Sequence, residues 1–235
     1  MIKRKGIIIP AFNEDETILS VIEGIRRYSD ADIVVIDDGS RDRTAEKAKT
    51  ARATVIRHPF NMGYGVALQT GYKYAAIMNY DFLLQIDADG QHDPKYIPES
   101  FRQVETDSCD LVIGSRFLAS GEYDAGTMKA LGIKLFRCLI QLFTGEKITD
   151  PTSGYQCMNQ KVYEVFTRDT FPSDYPDANI IIMLHRMGYR IKEIPVTMIP
   201  NPEGRSMHQG VLTLSYYFFN MFLSLFISLI RGKWS

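Results

Sequence analysis

Short, mostly apolar runs alternating with amphipathic stretches constrain the fold of this chain more than any other feature. Gly6–Pro10, Ile33–Asp37, Thr54–Arg57, Phe82–Ile86 and Asp110–Gly114 read as strands. Thr17–Tyr28, Thr44–Ala51, Gly65–Met78 and Pro94–Val104 read as helices, the first with Ile18, Val21, Ile22 and Ile25 on one face. Strands without polar alternation are covered on both faces, so the pattern predicts an α/β fold with a mostly parallel sheet between helical layers. Ligands of such sheets collect beyond the carboxyl ends of the strands. Acidic residues fall at two of those ends, Asp37-Asp38 after the second strand and Asp87-Ala88-Asp89 after the fourth.

Beyond Gly114 the pattern loosens. Gly126–Gly145 is amphipathic, with Leu131, Ile133, Leu135, Leu139, Ile140, Leu142 and Phe143 set among Lys129, Lys134 and Arg137. It reads as a core helix, with a helix resting on a membrane surface as the alternative. Asp177–Met187 reads as a helix and Tyr189–Val196 as a strand, and a polar loop, Pro200–Gly210, follows. Val211–Ile230 then carries no charge and is followed by Arg231, Lys233 and Trp234. As a helix this run is roughly 30 Å long, about the thickness of the hydrocarbon layer of a bilayer. Membrane attachment is the expectation. Thr213, Tyr217, Asn220, Ser224 and Ser228 form a mildly polar stripe, which leaves spanning, lying on the surface, packing on the protein or joining copies of the chain open. The expected division is a globular domain over 1–208 and a hydrophobic helix over 209–235.

A chain of 235 residues with 45% hydrophobic and 23% charged content suffices for one sizeable core. The net charge of −1 shows none of the basic excess of a nucleic-acid binder, so no such partner is expected. Cys109, Cys138 and Cys157 lie far apart and read as reduced thiols of a cytoplasmic protein. Met1-Ile2-Lys3-Arg4-Lys5 leads directly into a strand, so no secretory signal is expected.

The chemistry concentrates at Asp87, Asp89 and Gln91. On an extended chain alternate residues point the same way, so two carboxylates and an amide oxygen meet at one point. That donor set suits Mg²⁺ or Mn²⁺, with phosphate oxygens and water completing the shell. A solvated Asp-Gly turn is the alternative. The first strand leads into the acidic turn Pro10–Glu16 and carries no G-x-G-x-x-G, which argues against a dinucleotide oxidoreductase. It also lacks the glycine-rich basic loop that a nucleotidyltransferase needs. Glu14 can accept a ribose hydroxyl and Asp38 the N–H edge of a base, while Asn13, Asp15, Ser40 and Asp42 also suit helix caps. Asn61-x-Gly63-x-Gly65 reads as a turn leading into a helix.

In order, P-A-F-N-E (10–14), V-I-D-D-G-S (35–40), N-x-G-x-G (61–65) and D-A-D-G-Q (87–91) resemble the family-2 glycosyltransferases of the GT-A fold. Within that family the chain is similar to the branch of dolichyl-phosphate mannose synthase and undecaprenyl-phosphate glycosyltransferases, over Ile7 to Met207. The resemblance implies a Rossmann-like GT-A sheet, a nucleoside diphosphate sugar donor, a divalent metal and inversion at the anomeric carbon. It places Pro10, Phe12, Glu14, Ile36 and Asp38 around base and ribose. Asp87, Ala88, Asp89 and Gln91 would hold the donor, with Asp89 and Gln91 on the metal. Arg116 matches the arginine after the fifth strand, where a guanidinium can meet a diphosphate or an acceptor phosphate. Asp150 opens the D-x-x-S-G segment that borders the acceptor, and Asp177 matches an acidic position before a G-Y-R-I strand. The branch shows R-x-x-G-x-S-K ahead of its membrane segment, whereas this chain has Asn201 and Met207 at its ends and Arg205 inside as the substitute cation. None of His58, His92, His185 and His208 receives a catalytic role, although His92, beside the metal motif, is placed to touch the donor.

The expected activity is metal-dependent, inverting sugar transfer to a polyprenyl phosphate at the cytoplasmic face of the cell membrane. Asp89 and Arg116 would serve the departing diphosphate. The alternative is transfer to a hydroxyl of a glycan or lipid-linked sugar, with Asp177, or after it Asp150, as general base. A membrane-tethered nucleotide-binding scaffold is the non-enzymatic reading.

Overall fold

The computed structural model describes residues 3–118, 127–169, 171–172 and 178–199, with side chains for all but 127–131. Residues 209–235, and with them the expected hydrophobic helix, lie outside the described residues. The elements run β1 (Lys5–Ala11), α1 (Ile18–Arg26), β2 (Asp32–Asp37), α2 (Thr44–Thr50), β3 (Thr54–Arg57), α3 (Tyr64–Met78) and β4 (Phe82–Gln85). A short 3₁₀ turn (Pro94–Tyr96) leads into α4 (Ile97–Glu105) and β5 (Leu111–Ser115). Then follow α5 (Thr127–Thr144), β6 (Gln156–Asn159), α6 (Gln160–Phe166), α7 (Ala178–Arg186) and β7 (Ile191–Pro195).

The strands form one sheet in the order β3-β2-β1-β4-β6-β5-β7. Every neighbouring pair is parallel except those made by β6, which runs antiparallel between β4 and β5. Neither β6 nor α6 stands out in the sequence. Gln-Cys-Met-Asn has no apolar run of strand length, and three of its four residues are buried by its place between β4 and β5. Asn159 ends β6 and caps α6 by accepting the Val162 N–H at 3.2 Å, so one residue turns strand into helix.

Alternation along β1 sorts the core into two layers. Ile8 joins Leu68 and Tyr72 of α3 together with residues of α5, α6 and α7 on one face. Ile7 and Ile9 join Ile18, Ile22 and Ile25 of α1 and Phe101 of α4 on the other. Each face is sealed by helices, which explains the unbroken apolar runs of the central strands. β1 pairs with β2 on one side and β4 on the other, so the loops after these strands open around a common crevice.

α5 buries Ile133, Phe136 and Ile140 as a core helix should, and leaves Leu135, Leu142 and Phe143 exposed. No helix among the described residues is long and apolar enough to cross a membrane.

Candidate active site

Two loops beyond β1 and β2 are laced together by side chains. Asn13 N–H donates to Ser40 Oγ (3.0 Å), Glu14 N–H to Thr44 Oγ1 (2.8 Å) and Asp15 N–H to Asp42 Oδ2 (3.1 Å). Asn13, at a φ of 55°, returns its Oδ1 to the Arg41 N–H at 2.9 Å. Of the cap candidates, Asp42 does receive the Thr44 N–H at the start of α2, while Ser40 serves the neighbouring loop. Pro10 and Ile36 sit side by side in the β1–β2 register, buried, and Phe12 stands at the rim with 41% of its surface exposed.

Asp38 is occupied by its own chain. His58 Nδ1 lies 2.7 Å from its Oδ1, which also accepts the Met62 N–H, while Oδ2 accepts the Gly63 N–H. Gly39 makes that packing possible: at a φ of +72°, any Cβ there would lie 2.5 Å from the Phe60 backbone. In the structure Asp38 therefore shapes the 60–63 turn, and it is buried rather than presented to a base.

At the end of β4 the acidic motif is built by a turn and not by strand alternation. β4 stops at Gln85, residues 88–90 turn, and Gly90 takes a φ of +74°. Asp89 Oδ1 accepts the Gln91 N–H at 2.9 Å, which folds the motif on itself. Ala88 faces inward and belongs to the core. Asp87 receives the Tyr64 hydroxyl on Oδ1 at 2.8 Å and faces His92 Nε2 from Oδ2 at 3.1 Å.

The carboxylates differ in proton affinity. Burial opposes ionisation of Asp87, yet His92, then Tyr64 and Arg116, hold it below the usual carboxylate range. Asp89 is pushed up by burial and by Asp87. Glu14 is raised by burial and, more weakly, by Asp89, Asp87 and Asp42, against a hydrogen bond from Thr17 that lowers it. Three acidic side chains thus repel one another in a partly desolvated crevice, a charge pattern that a hard cation would neutralise. No group of three or more His, Cys, Asp or Glu side chains among the described residues can cage a cation unaided. The residues present fit a hard divalent cation that would take one or two carboxylates here and its remaining ligands from outside the chain.

The opposite wall comes from the segment after α5. Arg116, directly after β5, grips Asp150 through Nε to Oδ2 (2.6 Å) and Nη2 to Oδ1 (2.7 Å), and its backbone N–H adds a third bond. Both residues are buried, and the guanidinium also donates to Thr152 Oγ1. Each Asp150 oxygen is engaged by a cation, which ill suits it to take a proton from an acceptor hydroxyl. Glu193 on β7 fixes this segment by accepting the N–H groups of Thr149 and Asp150 at 2.7 and 2.8 Å; burial raises its proton affinity. Farther along, Gly154 presses on the acidic motif. A Cβ at that position would meet Asp87 Oδ2 at 2.4 Å. The glycine of D-x-x-S-G is thus a matter of contact with Asp87.

Glu14, Asp87, Asp89 and Arg116 are accordingly brought together, whereas Asp177 and Arg205 lie outside the described residues. Sequence reasoning left His58, Tyr64 and Glu193 without roles; Gly154 entered only as part of the D-x-x-S-G segment, and His92 only as a neighbour of the acidic motif.

The sequence profile described as Glycosyl transferase family 2 matches residues 6–166, well over half of the chain. The chain belongs to glycosyl transferase family 2. It is 31% identical over 209 residues to an uncharacterized protein of Methanocaldococcus jannaschii, covering 88% of this chain and 86% of that one. It is 29% identical to the undecaprenyl-phosphate mannosyltransferase of Micrococcus luteus, covering 86% of each chain. With the UDP-N-acetylglucosamine–dolichyl-phosphate N-acetylglucosaminyltransferase of Methanococcus voltae it shares 27% identity over 82% of this chain and 84% of that one. Among solved structures, glucosyl-3-phosphoglycerate synthase of Mycobacterium tuberculosis, crystallised with Mn²⁺, UDP and glucosyl-3-phosphoglycerate, superimposes with a TM-score of 0.70. That match covers 95% of this chain and 80% of the other at 20% identity, which establishes a shared fold. This family-2 glycosyltransferase therefore has an α/β, GT-A-like architecture with its acidic motif at the strand ends.

Proposed function

We propose that this glycosyltransferase moves a sugar, with inversion, from a nucleoside diphosphate sugar to a polyprenyl phosphate. The observation that carries the acceptor is that relatives named for undecaprenyl and dolichyl phosphate align over more than four fifths of both chains, although their names specify different sugars. Two features of the chain support it. Ile199 N–H donates to Gln91 O at 2.7 Å, so the chain leaves the described fold beside the acidic motif. The uncharged run begins at Val211, a short span away, roughly 40 Å at full extension. An apolar lipid arriving with that run would present its phosphate at the crevice.

In this reading Asp89 and Gln91, with Asp87 beside them, would hold a Mg²⁺ or Mn²⁺ ion. A bound divalent cation supplies charge stabilisation to the departing diphosphate. Glu14 meets the ribose, and Pro10, Phe12 and Ile36 border the base. Arg116, held by Asp150 and Thr152, borders the acceptor side of the crevice. The acceptor phosphate oxygen is already anionic, so it attacks the anomeric carbon without a general base, opposite the diphosphate. The bond from that carbon to the diphosphate breaks as the new one forms, and the charge leaves on the nucleotide.

Incubating the full chain with a panel of UDP- and GDP-sugars, undecaprenyl or dolichyl phosphate, a lipid-linked glycan and Mn²⁺ tests this. One donor should yield a glycosyl-phosphate lipid by mass spectrometry, chelator should abolish it, and Asp177→Asn should retain most of the rate. A sugar attached only to glycan hydroxyls, lost in Asp177→Asn, would overturn the phosphate acceptor.

A further inference from the structure

The N-x-G-x-G turn is tied to two different carboxylates of the site. Asp38 accepts the Met62 and Gly63 N–H groups at 2.9 Å each. The next residue, Tyr64, opens α3 and sends its hydroxyl 2.8 Å to Asp87 Oδ1. Behind it, Gln85 at the end of β4 donates its Nε2 to the Tyr64 oxygen at 3.1 Å, while its Oε1 accepts the Tyr72 hydroxyl at 2.5 Å. A hydroxyl has one proton; since Tyr64 accepts from the Gln85 amide, its own proton is directed to Asp87. His92 Nε2 stands 3.1 Å from the other Asp87 oxygen, and Gly154 closes the remaining side within a Cβ's reach. The Asp87 carboxylate is therefore oriented from three directions, and the turn bound by Asp38 delivers one of them.

We propose that Tyr64 is a positioning residue that aims Asp87 at the donor diphosphate and its divalent cation, and that Asp38 acts on the same carboxylate by holding the turn that presents Tyr64. This rests on the cation and donor assignment made under Proposed function. Without the hydroxyl, Asp87 loses its partner on Oδ1 and keeps only His92 on Oδ2, and the Gln85 amide loses its acceptor. Partners that orient a metal-site ligand typically change metal affinity by about 10–100-fold when removed.

The test is Mn²⁺ binding to the full chain, read by electron paramagnetic resonance without donor and again with UDP, beside thermal melting. Tyr64→Phe should weaken Mn²⁺ binding by about 10-fold or more. Tyr163→Phe, which removes a hydroxyl bonded to the Tyr80 carbonyl away from the acidic motif, should bind Mn²⁺ as the parent does. Asp38→Asn should weaken Mn²⁺ in the parent background and add little in Tyr64→Phe, because both act through one contact. Parent-like affinity in Tyr64→Phe, with Asp89→Asn abolishing binding, would overturn the positioning role and leave the cation assignment standing. Equal losses in Tyr64→Phe and Tyr163→Phe would overturn it too, and full additivity of Asp38→Asn would overturn the role of the turn. Parent-like binding in Asp89→Asn would remove the cation assignment and this inference together.

Discussion

Asp87 and Asp89 stand two positions apart and respond oppositely to the fold. Folding lowers the proton affinity of Asp87 through His92 and Tyr64 and raises that of Asp89 through burial and Asp87 itself. For Asp89 the folded state holds the proton more tightly than the unfolded chain. Its contribution to stability therefore falls as pH rises from about 3.9, the unfolded value, through the raised folded value, and the deficit persists at neutral pH. Asp89→Asn removes that charge, so it should raise the melting temperature while lowering kcat/KM on the order of 10²–10³-fold. Calorimetry and initial rates check both halves, and a lower melting temperature would contradict the electrostatic account. The spacing of these acids marks a candidate site in the sequence. Their individual environments do not show there, because Tyr64, Arg116 and Gly154 arrive from distant segments. Asp150 illustrates the same limit: as an isolated acid it suits a base, and only the fold shows Arg116 on both of its oxygens.

β5 and β7 lie together at one side of the sheet and are pinned at their starts. Asp110, just before β5, accepts the Arg190 backbone N–H at 2.9 Å and its Nε at 3.1 Å, and Asn159 adds a bond from the end of β6. Burial works against Asp110 ionising, but Arg190 and Asn159 outweigh it and its proton affinity falls below the ordinary aspartate value. The unfolded chain therefore takes up the proton first as pH drops. The stabilisation is full above the unfolded value of about 3.9 and is lost as pH falls through the lower folded one. Urea titrations should show stability declining below about pH 4, with Asp110→Asn about 1–3 kcal/mol less stable at pH 7 and less sensitive to acid. Unchanged acid sensitivity in the variant would assign the loss elsewhere. The central strands of the first half, β1, β2 and β4, were legible because each is apolar on both faces. β6 was not, because Gln156 and Asn159 are polar and its place depends on β4 and β5 as neighbours.

Across the whole molecule the acidic crevice, the departure point at Ile199 and the uncharged residues 211–230 follow one another. Leu135, Leu142 and Phe143 add an apolar strip on α5. If the run seeks lipid, the full chain should float with anionic liposomes, and Phe222→Asp with Phe226→Asp should leave it in the soluble fraction; flotation unchanged by the two charges would contradict that anchor. The most direct measurement is anomalous scattering from crystals soaked with Mn²⁺ and nucleoside diphosphate. The account predicts a manganese peak between Asp89 and the diphosphate, beyond the end of β4. A peak held by other residues, with nucleotide elsewhere and the Asp87–Gln91 turn uninvolved, would contradict it.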